Sequence, residues 1–374
     1  MSAYLTYSED FLKEHNGYWT AREISQQPRI WREAAENVKN ENSAIQAWLL
    51  PLLANTNLRI ILTGAGTSAY VGNAIAPHLS TKTGRLFEAI STTDLVSNPL
   101  QYLIKDIPTL VVSYGRSGNS PESVAAVKLV DQVVDDSYHL ILTCNPEGEL
   151  AVNAKTQDNV YSIIMPEGTL DQSFAMTSSF SSMLVSTLSI FAPEASQLEL
   201  AAQATENLLS NGIEKLKAQA KKPTERLVFL GAGGFQGIAK EAALKCLVLT
   251  AGQVLSYFES PLGFRHGPKS LMDATTEVVI FASSNDYTKL YDADLIAELK
   301  RDDQALDITI LSAETFNQKQ DIEDVWAGLP YIVYCQILAF YKSIDADITP
   351  DNPCPTGEVN RVVQGVTLYA LKQQ

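Results

Sequence analysis

Apolar positions along this chain fall in short unbroken runs, each followed by a stretch of helical periodicity. Ile60-Ile-Leu-Thr63, Leu110-Val-Val-Ser113 and Leu140-Ile-Leu-Thr143 are such runs in the first half. Leu227-Val-Phe-Leu230, Val279-Ile-Phe-Ala282 and Thr309-Ile-Leu-Ser312 repeat the pattern in the second. Continuous runs of this length predict strands buried on both faces, as in a parallel sheet, and the segments Pro121 to Val134 and Gln236 to Leu249 predict the crossover helices. The spacing repeats as well. Gly64 and Gly231 stand 167 residues apart, Ser113 and Ser283 170, and Thr143 and Ser312 169. The pattern predicts an α/β protein of two doubly wound parallel-sheet domains sharing one topology.

Outside those domains the periodicity changes. Thr20 to Ile24, Pro28 to Val38 and Ser43 to Leu53 read as helices of an N-terminal arm. Asn207 to Pro223 reads as a helix with a linker, and Leu329 to Ser343 as a late helix. The stretch Asp345 to Gly357 holds too many prolines for regular structure and should pack or wrap as a loop. The expected organisation is an arm over 1–55, a first domain over 56–205, a second over 206–345 and a C-terminal wrapping tail over 346–374.

The strand-to-helix junctions carry the candidate chemistry. In Leu110-Val-Val-Ser-Tyr-Gly-Arg-Ser-Gly-Asn-Ser-Pro-Glu-Ser123, Ser120 is a candidate N-cap and Pro121 occupies the first helical position, so free amides face outward together. Ser117, Asn119 and Ser120 add side-chain donors, Gly118 admits a ligand oxygen to the backbone, and the helix dipole favours an anion. An ordinary strand-turn-helix cap would use the same residue types. Thr67 and Ser68, just past Gly64-Ala-Gly66, supply two more hydroxyls where the second half has Gly234 and Phe235. The phosphate of a ligand is therefore expected in the first domain, at the carboxyl ends of its strands. Gly64-Ala-Gly-Thr-Ser-Ala69 lacks the third glycine of a dinucleotide fingerprint, and no P-loop pattern occurs.

Charge narrows the ligand. The chain carries 43 acidic against 28 basic residues, a formal net charge of −15, which disfavours nucleic acid and anionic membrane surfaces and leaves a small phosphorylated metabolite as the fitting anion. No apolar run reaches the roughly 18 residues of a membrane span, and the opening residues lack a signal-peptide pattern, so a cytoplasmic location is expected. Cys144, Cys246, Cys335 and Cys354 are dispersed and cluster with none of the four histidines, so neither a disulfide framework nor a metal site is expected.

Ionisable residues concentrate in the second half. Glu241 and Lys245 stand at i, i+4 on its first helix, a spacing that in isolation also describes a solvated helix pair. His266, in Arg265-His-Gly-Pro268, is a candidate proton carrier, a structural loop histidine being the alternative.

These motifs resemble the sugar isomerase (SIS) domain, and two copies followed by His-Gly-Pro are similar to the isomerase half of glucosamine-6-phosphate synthase. The resemblance is nearest to the AgaS group of galactosamine-6-phosphate deaminase/isomerases, on Gly115 to Ser123, Phe174-Ala-Met-Thr-Ser-Ser179, Ser260-Pro-Leu-Gly-Phe-Arg-His-Gly-Pro-Lys-Ser270 and Val359-Asn-Arg-Val-Val-Gln-Gly365. The Met-Ser start gives no sign of the synthase's glutamine-hydrolysing part, so ammonia would be released rather than captured. By resemblance, Gly66, Thr67, Ser68, Ser117, Gly118, Asn119, Ser120, Thr177 and Ser178 would hold the sugar phosphate. Glu241 and Lys245 would organise the site, and His266 would assist ring opening, reaching the active site from a neighbouring subunit of a homodimer or larger even oligomer. No metal or organic cofactor is implied, because the carbonyl itself acidifies the transferred proton.

Two positions depart from the synthase pattern. The glutamate expected one turn beyond the lysine, which moves the proton between C1 and C2, is Val248 here, on the face shared by Glu241 and Lys245. A valine cannot transfer a proton, which leaves Glu241 and Glu259 as substitute carboxylates. A lysine near the C-terminus is replaced by Gln364. The implied reaction converts galactosamine 6-phosphate to tagatose 6-phosphate and ammonium. Isomerisation without deamination, and a non-catalytic sugar-phosphate sensor, are the alternatives.

Overall fold

The structure, a computed structural model, describes residues 4–320, 322–363 and 365–372. Two compact units divide the chain. One gathers Glu33–Leu170, Ser178–Pro193 and Thr356–Gln374, the other Met1–Arg32, Asp171–Thr177 and Glu194–Pro355.

The first unit holds strands β1 (Arg59–Thr63), β2 (Phe87–Ala89), β3 (Thr109–Gly115), β4 (Ser137–Thr143) and β5 (Val160–Ile164) in the order β2-β1-β3-β4-β5, all pairs parallel. The second holds β6 (Arg226–Gly231), β7 (Leu255–Glu259), β8 (Thr276–Phe281) and β9 (Asp307–Leu311) in the order β7-β6-β8-β9, again parallel. Both units are thus doubly wound α/β sheets, and the second repeats the first without its last edge strand. Every residue of β3 and of β8 is buried, which is why those segments carry unbroken apolar runs. The strands without such a run are β2, β5 and β7, and all three lie at sheet edges, where one side needs no apolar cover.

Packing follows the pattern of a central sheet under helices. In the first unit Ile61 and Val111 of the sheet close a core with Leu95, Ala126 and Val130. In the second, Val228, Leu230, Val278 and Ile280 meet Phe264, Leu295 and Leu299. The 22-residue helix Asp324–Asp345 is buried along nearly its whole length and packs on the helix Gly234–Leu249.

The N-terminal arm folds as the helices Tyr18–Ser25, Gln27–Asn40 and Asn42–Leu53. Gly17, at the N-cap of Tyr18–Ser25, has no side chain to satisfy the first amides. Asp351 from the proline-rich tail does so, its carboxylate accepting from the Trp19 N–H at 3.0 Å, the Thr20 N–H at 2.7 Å and the Thr20 hydroxyl at 2.7 Å. Among the described residues, no helix is long and apolar enough to cross a membrane, and no group of His, Cys, Asp or Glu is arranged to hold a metal ion.

Candidate active site

From β1 the chain crosses to β2, and from the adjacent β3 it crosses the other way to β4. Their carboxyl ends, in register at Thr63 and Ser113, therefore border the crevice in which doubly wound sheets bind ligands. Two helix N-termini open on it, those of Thr67–Thr83 and Pro121–Val133. Gly66 precedes the first with φ +55°, a backbone that side chains disfavour, and its turn leaves Thr67 and Ser68 at the helix start. The second turn, also left-handed at Gly118 with φ +64°, presents Ser117, Asn119 and Ser120. Ser120 is the N-cap residue, but its hydroxyl donates to the Ser123 hydroxyl at 2.6 Å and accepts from no helix amide. Asn119 braces the turn, its carbonyl oxygen accepting the Glu149 N–H at 2.8 Å. Of the residues expected to grip the phosphate, the fold thus gathers Gly66, Thr67, Ser68, Ser117, Gly118, Asn119 and Ser120 at one sheet end.

Arg116 had no assigned role, although it stands inside the motif. The residue is buried and its guanidinium donates to the Arg361 carbonyl at 2.5 Å, tying the tail of this unit to the cradle turn. An arginine within a hydroxyl-rich turn of an acidic chain was the available signal. It adds a cation to the motif, one whose guanidinium is engaged by the tail. Gln364 lies outside the described residues.

The second unit repeats the same turns with their donors closed off. Gly233 repeats the backbone of Gly66, with φ +56° and ψ −127° against +55° and −126°. Where Ser68 stands in the first unit, Phe235 is buried and packs against Phe281 and Tyr331. The donors after β8 are already taken by acids. Asp324 accepts the Ser284 N–H at 2.8 Å and hydroxyl at 3.0 Å and the Ser283 hydroxyl at 2.5 Å, while Asp292 accepts the Ser283 N–H at 2.9 Å. Burial, reinforced by Asp324, raises the Asp292 carboxyl above its usual range.

Glu241 and Lys245 share a face of the helix Gly234–Leu249, their charged groups 3.0 Å apart. Both are buried, at 0% and 2% exposure, so the solvated-pair alternative does not describe them. A helix surface pair contributes a few tenths of a kcal/mol, whereas a buried one carries a desolvation cost of several kcal/mol per ion, the sort of cost retained for chemistry or specificity. Val248 lies half-buried one turn on. Glu259 ends β7, where it accepts from the Gln236 amide at 2.9 Å and the Ser260 N–H at 2.7 Å. His266 sits exposed in the turn after Phe264, unlike His139, which is buried against Asp131.

Thr177 and Ser178 stand where a loop enters the helix Ser178–Phe191. Asp171 closes that loop, accepting the Thr177 N–H at 2.8 Å. Glu23 of the arm holds its other side, accepting the Ser173 hydroxyl at 2.5 Å and the Gln172 N–H. Burial, with Asp171 as the nearby like charge, pushes the Glu23 carboxyl up to about 8. Neither acid was foreseen, since an isolated carboxylate gives no sequence signal, whether in a helix as Glu23 or in a loop as Asp171.

Comparison with known proteins agrees with the fold of two parallel α/β sheets. The SIS domain family matches residues 52–193. The D-galactosamine-6-phosphate deaminase AgaS of Shewanella sp. (strain ANA-3) is 53% identical across 98% of this chain and 95% of its own length. The chain belongs to the AgaS family of SIS-domain proteins. The tagatose-6-phosphate ketose/aldose isomerase structure from Escherichia coli, similar to this AgaS-family chain at 43% identity, superposes with a TM-score of 0.89 over 95% of this chain and 98% of its own. A glutamine–fructose-6-phosphate aminotransferase of Sulfolobus acidocaldarius is a remote relative, 23% identical over 91% of this chain and 56% of its own length. Members of the AgaS family thus share the whole length of this fold, whereas the aminotransferase shares it as one part of a longer protein.

Proposed function

We propose that this AgaS-family protein is an amino-sugar phosphate deaminase/isomerase that converts galactosamine 6-phosphate and water to tagatose 6-phosphate and ammonia. The observation that carries the reading is the β1/β3 crevice. Two helix N-termini, Thr67, Ser68, Ser117, Asn119 and Ser120 converge there, while the equivalent turns of the other unit are closed by Asp324 and Phe235. One phosphate anchor per chain follows, with Gly66 and Gly118 admitting the phosphate oxygens and Thr177 and Ser178 meeting the sugar.

In the proposed reaction His266 assists opening of the sugar ring. The free aldehyde at C1 acidifies the C2 hydrogen, which a carboxylate removes, Glu241 being the candidate beside Lys245. Protonation at C1 leaves an imine at C2, and water displaces the nitrogen as ammonia to give the ketone. The acid–base step requires no metal or organic cofactor. The acidic surface and the sugar-phosphate substrate support a cytoplasmic enzyme, and His266, exposed on its turn, supports an assembly in which two copies share active sites. Strands spanning 59–164 and 226–311 support one sheet domain within 56–205 and one within 206–345, although Asp171–Thr177 and the chain from Glu194 group with the second unit.

Incubation with galactosamine 6-phosphate and with glucosamine 6-phosphate, following ammonium, tests the proposal. Faster release from the galacto sugar is expected, and release from neither overturns the deaminase reading. Ketose formation without ammonium would select the simple isomerase.

A further inference from the structure

His266 is exposed, and its imidazole has no hydrogen-bond partner among the described residues. Its backbone, by contrast, is anchored by its neighbours. Phe264, fully buried, anchors the turn in the core against Leu295 and Leu299, and the His266 N–H donates to the Gly263 carbonyl at 2.9 Å. Gly267 follows with φ +126°, open only to glycine, and Pro268 fixes the next residue.

The two cations flanking the histidine turn back to a single helix. Asp294, Glu298 and Asp302 stand four residues apart on the helix Thr288–Asp302, so they form one acidic row. Glu298 divides its carboxylate between the two sides of the turn. One oxygen accepts from Arg265 Nε at 2.7 Å and the other from Lys269 Nζ. Asp294 takes a second Arg265 nitrogen at 2.8 Å, and Asp302 takes Lys269 at 2.5 Å. Glu298 is held below the usual carboxylate range by Lys269 first and Arg265 second. Isolated pairs at this exposure contribute little to stability, but a bidentate network fixes geometry.

We propose that Glu298 is a positioning residue for His266: its carboxylate staples Arg265 and Lys269 to one helix, so that the intervening histidine is presented to substrate in a fixed pose with its side chain unencumbered. The assignment rests on the reading of His266 as a reacting group. It gives the arginine and lysine of Arg-His-Gly-Pro-Lys a task apart from phosphate binding, since both charges are spent on the acidic row.

The test compares the full-length chain with Glu298→Gln, His266→Asn and the double variant, assayed for ammonium release from galactosamine 6-phosphate at low ionic strength. Glu298→Gln should lower kcat by roughly 10- to 100-fold, the scale of a misplaced catalytic group, with KM and melting temperature unchanged. The double variant should be no slower than His266→Asn alone, because the two residues act as one unit. The imidazole resonance of His266, one of four histidines in the chain, should be a single sharp signal that broadens in Glu298→Gln. Full activity of Glu298→Gln beside an inactive His266→Asn overturns the staple alone, as do losses that simply multiply. Full activity of His266→Asn overturns the reading of the histidine and the staple with it.

Discussion

Asp324 accepts both the amide and the hydroxyl of Ser284, placing a carboxylate of the chain itself in the turn after β8. The corresponding turn of the first unit, after β3, carries Ser117, Asn119 and Ser120 as donors. Two copies of one fold have thus diverged by filling one cradle with an internal anion.

Replacing Asp324 with alanine should free those donors. The variant is expected to lose roughly 1.5–3 kcal/mol, the worth of hydrogen bonds to a charged acceptor, and to recover part of it as sulfate is added. Thermal melts across a sulfate series check this against the unsubstituted chain. A variant as stable as its parent, or one indifferent to sulfate, would show that Asp324 occupies no anion site.

Ser117→Ala tests the cradle in use. A hydrogen bond to a charged group is worth about 1.5–3 kcal/mol, so KM for the sugar phosphate should rise roughly 10- to 100-fold with kcat much less affected. Steady-state kinetics separate the two constants. A fall in kcat at constant KM would remove Ser117 from the phosphate anchor.

Much of this was legible in the chain. The central strands announced themselves because burial on both faces demands apolar residues at successive positions, as in Leu110-Val-Val. The cradle was legible because Gly118 and Pro121 are needed for its backbone and their order is fixed. What could not be read was long-range pairing. Asp351 at the start of the Tyr18–Ser25 helix, Glu23 at Ser173 and Asp324 at Ser284 are ordinary surface-type acids in sequence, and only the fold brings their donors to them. The edge strands β2, β5 and β7 were silent for the opposite reason, since partial exposure relaxes their composition.

Glu23 makes stability depend on pH in a specific direction. Its carboxyl titrates near 8 in the folded chain against 4.5 as the reference value, so the folded state binds more protons between those limits. Stability should therefore fall by roughly a few kcal/mol as pH rises from about 4.5 to 8, then level off. Glu23→Gln should flatten that slope, as read from denaturant midpoints across the range. An unchanged slope in the variant would show that Glu23 is not the titrating group.

The valine at 248 bears on which carboxylate moves the proton. Glu241, buried against Lys245, is expected to carry that step, so Glu241→Gln should lower kcat on the order of 100-fold or more. Val248→Glu, assayed beside it, should bring no gain. A large gain from Val248→Glu would instead identify the valine as a lost base, and the chain as a slowed enzyme.

The most direct measurement follows galactosamine 6-phosphate labelled with ¹³C at C2 by NMR, while ammonium is assayed in the same tube. The amine-bearing carbon is expected to disappear as the C2 signals of tagatose 6-phosphate grow in, with one ammonium released per sugar. Binding of the labelled sugar without any change at C2, or its conversion without equimolar ammonium, would contradict it.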